Sequence, residues 1–170
     1  MILKFNAEKA IEVILYIAKR ATIPDIYHVL KIMYFSDKEH LQKYGRLICN
    51  DSYIAMLHGP VPSGAYDIVK SVRGDGYSKV ESTARESFKI NDDKFISPLR
   101  DANISLLSES EEECLNNAIK DYGKLSFKKL KGLSHDKAFK SVDENDRISL
   151  ESIAATLKDG HLIIEHLKDS

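Results

Sequence analysis

The stretch from Ile26 to Tyr44 constrains this chain more than any other. At about 100° per residue, Ile26, Leu30, Met33, Asp37, His40, Leu41 and Tyr44 fall within roughly 60° of one line along a helix. Such a stripe has to face a core, yet Asp37 and His40 interrupt it at i, i+3, a spacing at which two helical side chains can meet. A carboxylate withdrawn from water without partners costs several kcal/mol, so the fold must bring donors to Asp37. The sequence offers His40, Arg46, His58 and the backbone N–H groups around the Gly59-Pro60 turn.

The flanking segments read as mostly helical. Asn6 can cap a first helix with Ala7, Ala10, Ile11, Ile14, Ile17 and Ala18 on one face. Thr22-Ile23-Pro24-Asp25 has the pattern of a capping box with proline in the first turn. The helix it opens runs to about Lys43, and Gly45 stops it. Tyr53 to His58 suits a short strand or a buried helical turn equally, while Pro60 and Pro62 hold Val61 extended. Ser63 caps a helix with Ala65, Ile68, Val69 and Val72 inward, and Arg73-Gly74-Asp75-Gly76 ends it.

Lys79 to Glu86 reads as a polar loop. Ser87 to Ile90 and Lys94 to Ser97 alternate on either side of Asn91-Asp92-Asp93, the pattern of a β-hairpin. Ser108 and the acidic run Glu109 to Glu113 open a helix that Gly123 closes. Ser126 starts another through Leu133, Asp143 to Asp146 is an acidic linker, and Ser149 and Gly160 mark the last helical pieces, the closing one from Leu162 to Leu167. The expected fold is mainly α, one compact helical domain over residues 1–170 with a small β-hairpin.

A chain of 170 residues can bury enough surface to stand without a metal or disulfide staple. Cys49 and Cys114 accordingly read as buried, reduced thiols. No signal peptide and no membrane-length apolar run is visible, which makes a soluble cytoplasmic protein the expectation. Basic and acidic side chains nearly cancel at a net charge of −1, so overall charge does not favour nucleic acid or membrane partners. Locally the balance breaks: Lys124, Lys128, Lys129, Lys131, Lys137 and Lys140 are opposed within their span only by Asp136. That cluster reads as a solvated helix surface, or as a patch for phosphates or an acidic protein face.

Asp37 and His40 support three readings. They belong to a buried hydrogen-bond network that fixes the long helix to the His58–Pro62 segment, or to a polar surface that grips a partner. The third is a metal or acid–base site shared with His58, His135 and Asp136, since neutral histidine and carboxylate suit zinc or manganese. The spacing is far weaker evidence than a paired HxxxH or CxxC, and the GxSxG, GxxxxGK[ST] and GxGxxG signatures are missing from the sequence.

Several motifs resemble a known family. Leu30-Lys31-Ile32-Met33-Tyr34-Phe35-Ser36-Asp37-Lys38-Glu39-His40-Leu41 is similar to the "KLLYFAdreHL" helix of the Panacea (SocA-like) antitoxin family, which includes phage-associated GepA-type proteins. Tyr44-Gly45-Arg46 resembles the turn that follows. Tyr53 to Leu57, then His58-Gly59-Pro60-Val61-Pro62 and Tyr66-Asp67, resemble the family's "aw.hGPVp..vYd" centre. Leu107-Ser108-Glu109, Tyr122 to Ser126 and Leu133-Ser134-His135 through Phe139 resemble its carboxyl half. The likeness covers residues 25–70 and 105–157, with Phe139 where tryptophan is frequent and Leu-Ser-His in place of Leu-Thr-His.

The resemblance implies an antitoxin without catalysis or cofactor that binds a cognate toxin protein. It also implies a route in which the toxin is handed to a Clp-type protease, and it leaves a homodimer open. Asp37, His40, Tyr44, Arg46, His58, Gly59, Pro60, Val61, Pro62, Tyr66 and His135 are then the polar framework or partner-binding residues. A metal-dependent hydrolase built on the Asp/His cluster and a nucleic-acid-binding regulator built on the lysines are the alternatives.

Overall fold

The computed structural model describes residues 4–169; Met1 to Leu3, on which part of the no-leader expectation rests, lie outside the described residues. Helix α1 spans Ala7–Arg20, and the Asn6 side chain accepts the Lys9 N–H at 3.0 Å as expected. Its residues from Ala10 to Ala18 are all buried, so it is enclosed on every side rather than along one stripe.

Helix α2, Ile26–Tyr44, runs through the centre and ends at Gly45, whose φ of 77° suits a residue without a Cβ. Its amino-terminal cap is Asp25, which accepts the His28 N–H at 2.7 Å. The expected box starting at Thr22 is therefore displaced. Pro24 sits ahead of the cap, because its carbonyl accepts the Ile96 N–H at 2.9 Å and Asp25 bridges to Phe95. Those contacts hold the entering chain extended, outside the helix.

Strands β1 (Tyr53–Met56) and β2 (Gly59–Pro62) form a tight antiparallel hairpin with Tyr53 opposite Pro62 and Met56 opposite Gly59. The open choice at Tyr53 to His58 thus resolves as strand and turn. After β3 (Phe88–Asn91) and β4 (Phe95–Pro98), a short β5 (Arg147–Ile148) joins the far side of β1 in the order β2-β1-β5. The acidic segment before β5 is tied to this sheet through Asn145 N–H to Ala55 O and Ala55 N–H to Asp146 O, so it is more than a linker. The expected hairpin is β3 (Phe88–Asn91) and β4 (Phe95–Pro98). Asp92 and Asp93 turn it with φ of 53° and 58°, the left-handed pair of a type I′ turn.

Helix α3 (Ser63–Arg73) starts at Ser63, but Ser63 does not cap it. Asp51 does, accepting Gly64 N–H and Ala65 N–H at 2.8 and 2.9 Å on its two oxygens. The expected loop before β3 is helix α4, Glu81–Ser87, which buries only Ala84 and Ser87 and so carries almost no apolar pattern to read. Helix α5 (Glu109–Tyr122) opens with the Ser108/Glu111 capping box and makes the most extensive helix–helix contact with α2. Helices α6 (Phe127–Ser134), α7 (Lys137–Lys140) and α8 (Leu150–Ala155) start from Ser126, Asp136 and Ser149. Helix α9 (Gly160–Lys168) begins earlier than expected, at a glycine whose Cβ would lie 2.3 Å from Ala154 O.

The molecule is mainly α, and the described residues form two hairpins where one was expected. Cys49 and Cys114 are buried and unlinked. Among the described residues no helix is long and apolar enough to cross a membrane. The loop after β4 is held to α1 by buried Glu12, which takes Arg100 on both oxygens at 2.7 and 2.8 Å and the Asn103 N–H at 2.7 Å. Arg100 leads in holding the Glu12 carboxyl below its usual range.

Because Asp51 supplies both first-turn acceptors of α3, Asp51→Ala should cost roughly 2 kcal/mol in urea unfolding, whereas Ser63→Ala should stay within about 0.5 kcal/mol of the parent.

Candidate functional site

From His28 to Asp37 every residue of α2 is buried, so the helix has no solvent side over nearly three turns and each polar group there must find a partner in protein. Asp37 accepts the Ile48 N–H at 2.8 Å on one oxygen and the Tyr53 hydroxyl at 2.6 Å on the other. None of the donors expected from the sequence serves it. The two that do come from the chain just after the Gly45 turn and from β1, so the carboxyl pins both to the centre of α2.

His40 is fully buried and does not meet Asp37. Its Nδ1 lies 2.8 Å from Arg46 O and its Nε2 2.9 Å from Ser110 Oγ. A carbonyl can only accept, so the proton sits on Nδ1 and Nε2 accepts from Ser110. Burial lowers the His40 pKa, in keeping with a neutral ring. Arg46 serves through its carbonyl to His40 and its guanidinium to Glu111, 2.7 Å away. Glu111 also receives Lys9 and the Ser108 N–H. Burial opposes its charge, but Lys9, Ser108 N–H and Arg46 outweigh that and hold the carboxyl below its ordinary pKa. Tyr44 is half exposed and donates to Glu113 beside the His40 ring.

His58 and His135 lie away from this network. His58 is exposed at the β1–β2 turn, its ring 5.2 Å from that of Phe127, and its carbonyl accepts the Tyr27 hydroxyl at 3.1 Å. His135 stacks on Phe139 with ring centroids 4.2 Å apart, next to Asp136, which takes Tyr34 and Lys38 at 2.7 and 2.9 Å. The Asp/His cluster that would carry metal or acid–base chemistry is therefore not assembled. Among the described residues no group of three or more His, Cys, Asp or Glu is placed to hold a metal ion.

What the Gly59–Pro62 segment builds is the wall of a groove. A cavity of about 320 Å³ lies between α2 and the hairpin, lined by Tyr27, Leu30, Met56, Leu57, Val61 and Tyr66 among others. Lys31 lines its floor at 1% exposure and donates to Pro60 O at 2.8 Å. Burial pulls its pKa down to about 7, and no carboxylate offsets this. Gly59 adopts a φ of 120°, and a Cβ there would approach Ser134 Oγ to 2.5 Å and Lys31 Cε to 3.0 Å, so the close fit requires glycine. The Ser63 N–H donates to Ser52 O, and the register then turns the Pro60 and Pro62 nitrogens to the outer edge of β2. That edge offers no N–H at either position.

Beside the groove the surface is apolar, and the lysine-rich segment of the sequence lies on α6 and its flanks. Leu57 is 66% and Phe127 45% exposed, and Phe127 packs on Tyr27 at 4.3 Å between ring centroids. Lys124, Lys128, Lys129, Lys137 and Lys140 are exposed and Lys131 half-buried, and among the described residues none of the six takes part in an ion pair. Lys31, Tyr53, Ser110 and Phe127 are not among the site residues expected from the sequence. Only Lys31 left a local signal, a cation set between Val29-Leu30 and Ile32-Met33.

The family model described as "Antitoxin SocA-like, Panacea domain" matches residues 29–140, from the first turn of α2 to the end of α7. No curated protein and no solved structure gives a match.

Asp37 provides a pH test. Burial pushes its pKa from 3.8 up to about 7, against the hydrogen bonds from Tyr53 and Ile48 N–H that favour the charge. With the folded value above the unfolded one, its contribution to stability is complete below about pH 4 and is lost as pH rises through about 7. Asp37→Asn cannot ionise. The stability of the parent relative to this variant should fall by on the order of a few kcal/mol between about pH 4 and about pH 8 in urea unfolding; a constant difference would refute the assignment.

Proposed function

The chain belongs to the SocA-like antitoxin family with the Panacea domain, and from that membership we propose that it neutralises a cognate toxin protein by direct contact through the face around Tyr27, Leu57, His58 and Phe127. The observation that carries this reading is the group of exposed side chains, Leu57, His58 and Phe127, gathered around Tyr27 at the rim of the groove. Desolvated aromatic and aliphatic anchors supply most of the affinity of a protein interface, and a charged rim speeds encounter with a partner of opposite sign. The polar framework of Asp37, His40 and Arg46 works from behind. It fixes the sheet and the chain after α2, and so keeps the hairpin that bears Leu57 and His58 at one distance from α6.

In this reading the protein acts by binding rather than by catalysis. Asp37 and His40 each spend their polar atoms on structural partners, which leaves the hydrolase alternative without its proposed residues. Delivery of the bound toxin to a Clp-type protease is the second route that family membership suggests. Toxin half-life in cells with and without the protease separates it from steric neutralisation.

Co-expression with the protein encoded by the neighbouring reading frame tests the face. The parent should restore growth and co-purify with that protein. Leu57→Asp, at an exposed position, should stay within about 0.5 kcal/mol of the parent and Phe127→Asp, which gives up its packing on Tyr27, should lose about 1–2 kcal/mol but remain folded; both should lose rescue and weaken binding about tenfold or more. Rescue unaffected by both substitutions would remove this face from the account. Steep salt-dependent binding to duplex DNA, abolished by charge reversal at Lys128 and Lys129, would instead favour the nucleic-acid alternative.

A further inference from the structure

Lys31 is the buried charge that the framework does not explain. Its ammonium has three donors; one meets Pro60 O, the charge lies over the Tyr27 ring at 4.9 Å from the centroid, and no carboxylate among the described residues pairs with it. Burying an ammonium group without a counter-ion is costly, and every other buried charged side chain of this region has a partner of opposite sign or several donors: Glu111 has Lys9 and Arg46, and Asp51 has three N–H groups. Asp93, the one carboxylate lining the groove, is exposed at its mouth and forms no ion pair with Lys31. Arg73 on the same wall is already held by Asp75 at 2.8 and 2.9 Å. A buried amine lining an apolar groove, with one hydrogen-bond acceptor, one aromatic face and no counter-ion, is complementary to a carboxylate attached to an apolar group, which would favour its charged form.

We propose that this groove docks a segment of a partner protein that presents an aspartate or glutamate beside an aliphatic or aromatic residue, its carboxylate pairing with the Lys31 ammonium. The inference rests on the partner-binding face described above and names what that face recognises. Several features favour a protein segment as occupant. The cavity itself holds about two or three side chains, but its apolar wall continues through Tyr27 onto exposed Leu57 and Phe127, a surface wider than a small molecule would use. The segment does not add as a strand, because the β2 edge lacks N–H groups at Pro60 and Pro62 and the Pro60 carbonyl is already taken by Lys31. Recognition therefore falls to side chains, the apolar one between Tyr27, Leu57 and Val61 and the acidic one at the floor.

A displayed dodecapeptide library selected on the immobilised parent protein tests this directly. Enriched peptides should carry an acidic residue next to Leu, Ile or Phe. For a synthetic peptide from that set, changing its acid to the amide should weaken binding to the parent about tenfold or more and have little effect on Lys31→Met, which keeps the length of the side chain and removes the charge. In the parent, the Lys31 side-chain nitrogen resonance should move on adding the acidic peptide and stay in place with the amide form. This second readout holds even where Lys31→Met alters folding. Selection without acid preference, an equal amide effect on both proteins, or an unmoved Lys31 resonance would overturn the proposal. So would phenylacetate binding as tightly as the peptide, which would reassign the groove to small carboxylates. Growth rescue by the parent alongside failure of these peptides would sink the Lys31 assignment and leave the antitoxin reading standing. Peptide binding without any rescue would do the reverse.

Discussion

The two hydrogen bonds to Asp37 set the terms for the whole molecule. α2 is buried on all sides over most of its length, and a helix in that position cannot turn its polar side chains to water. Each must reach a particular neighbour. His28 reaches Asp25 and Leu125 O, Lys31 reaches β2, Tyr34 and Lys38 reach Asp136, Asp37 reaches β1 and Ile48, and His40 reaches Ser110 and Arg46. Apolar burial is nondirectional and would accept several registers of the surrounding segments. These bonds accept one, since a displaced partner leaves a desolvated polar atom behind.

That division of labour separates scaffold from recognition. The groups with the strongest chemical potential for catalysis are consumed in holding the fold, and their pKa shifts follow from burial rather than from an open reaction site. The side chains left over are Leu57, His58 and Phe127 on the surface, Lys31 at the groove floor and the lysines of α6 and its flanks. None of these is needed to satisfy a buried partner except Lys31 through Pro60 O. Of these, only Lys31 belongs to both sets, since its bond to Pro60 O also holds β2 against α2.

Much of this was legible in the sequence, and what was not has a physical reason. Asn6, Ser108, Ser126 and Ser149 announced their helices because a cap and the N–H it serves lie within three residues. The carboxylate of Asp37 within an apolar stripe announced that it would be buried and held. Its partners stayed hidden: one is a backbone N–H, which every residue has, and the other is a tyrosine on a strand whose pairing is nonlocal. Asp51 was missed as the cap of α3 for the same reason, since it acts from well upstream while Ser63 stands where a local rule looks. The four candidate residues share chemistry but not location: His58 stands at the tight turn after β1 and half-buried His135 at the α6–α7 corner, both apart from Asp37 and His40.

The prolines of β2 carry a consequence beyond the groove. A free strand margin is ordinarily a template on which an unrelated chain, or another copy, can lay down a new strand. Here the outward nitrogens bear no hydrogen at Pro60 and Pro62, and the carbonyl between them and α2 is spoken for. With all four residues of β2 buried as well, this margin offers no template on which another strand could grow.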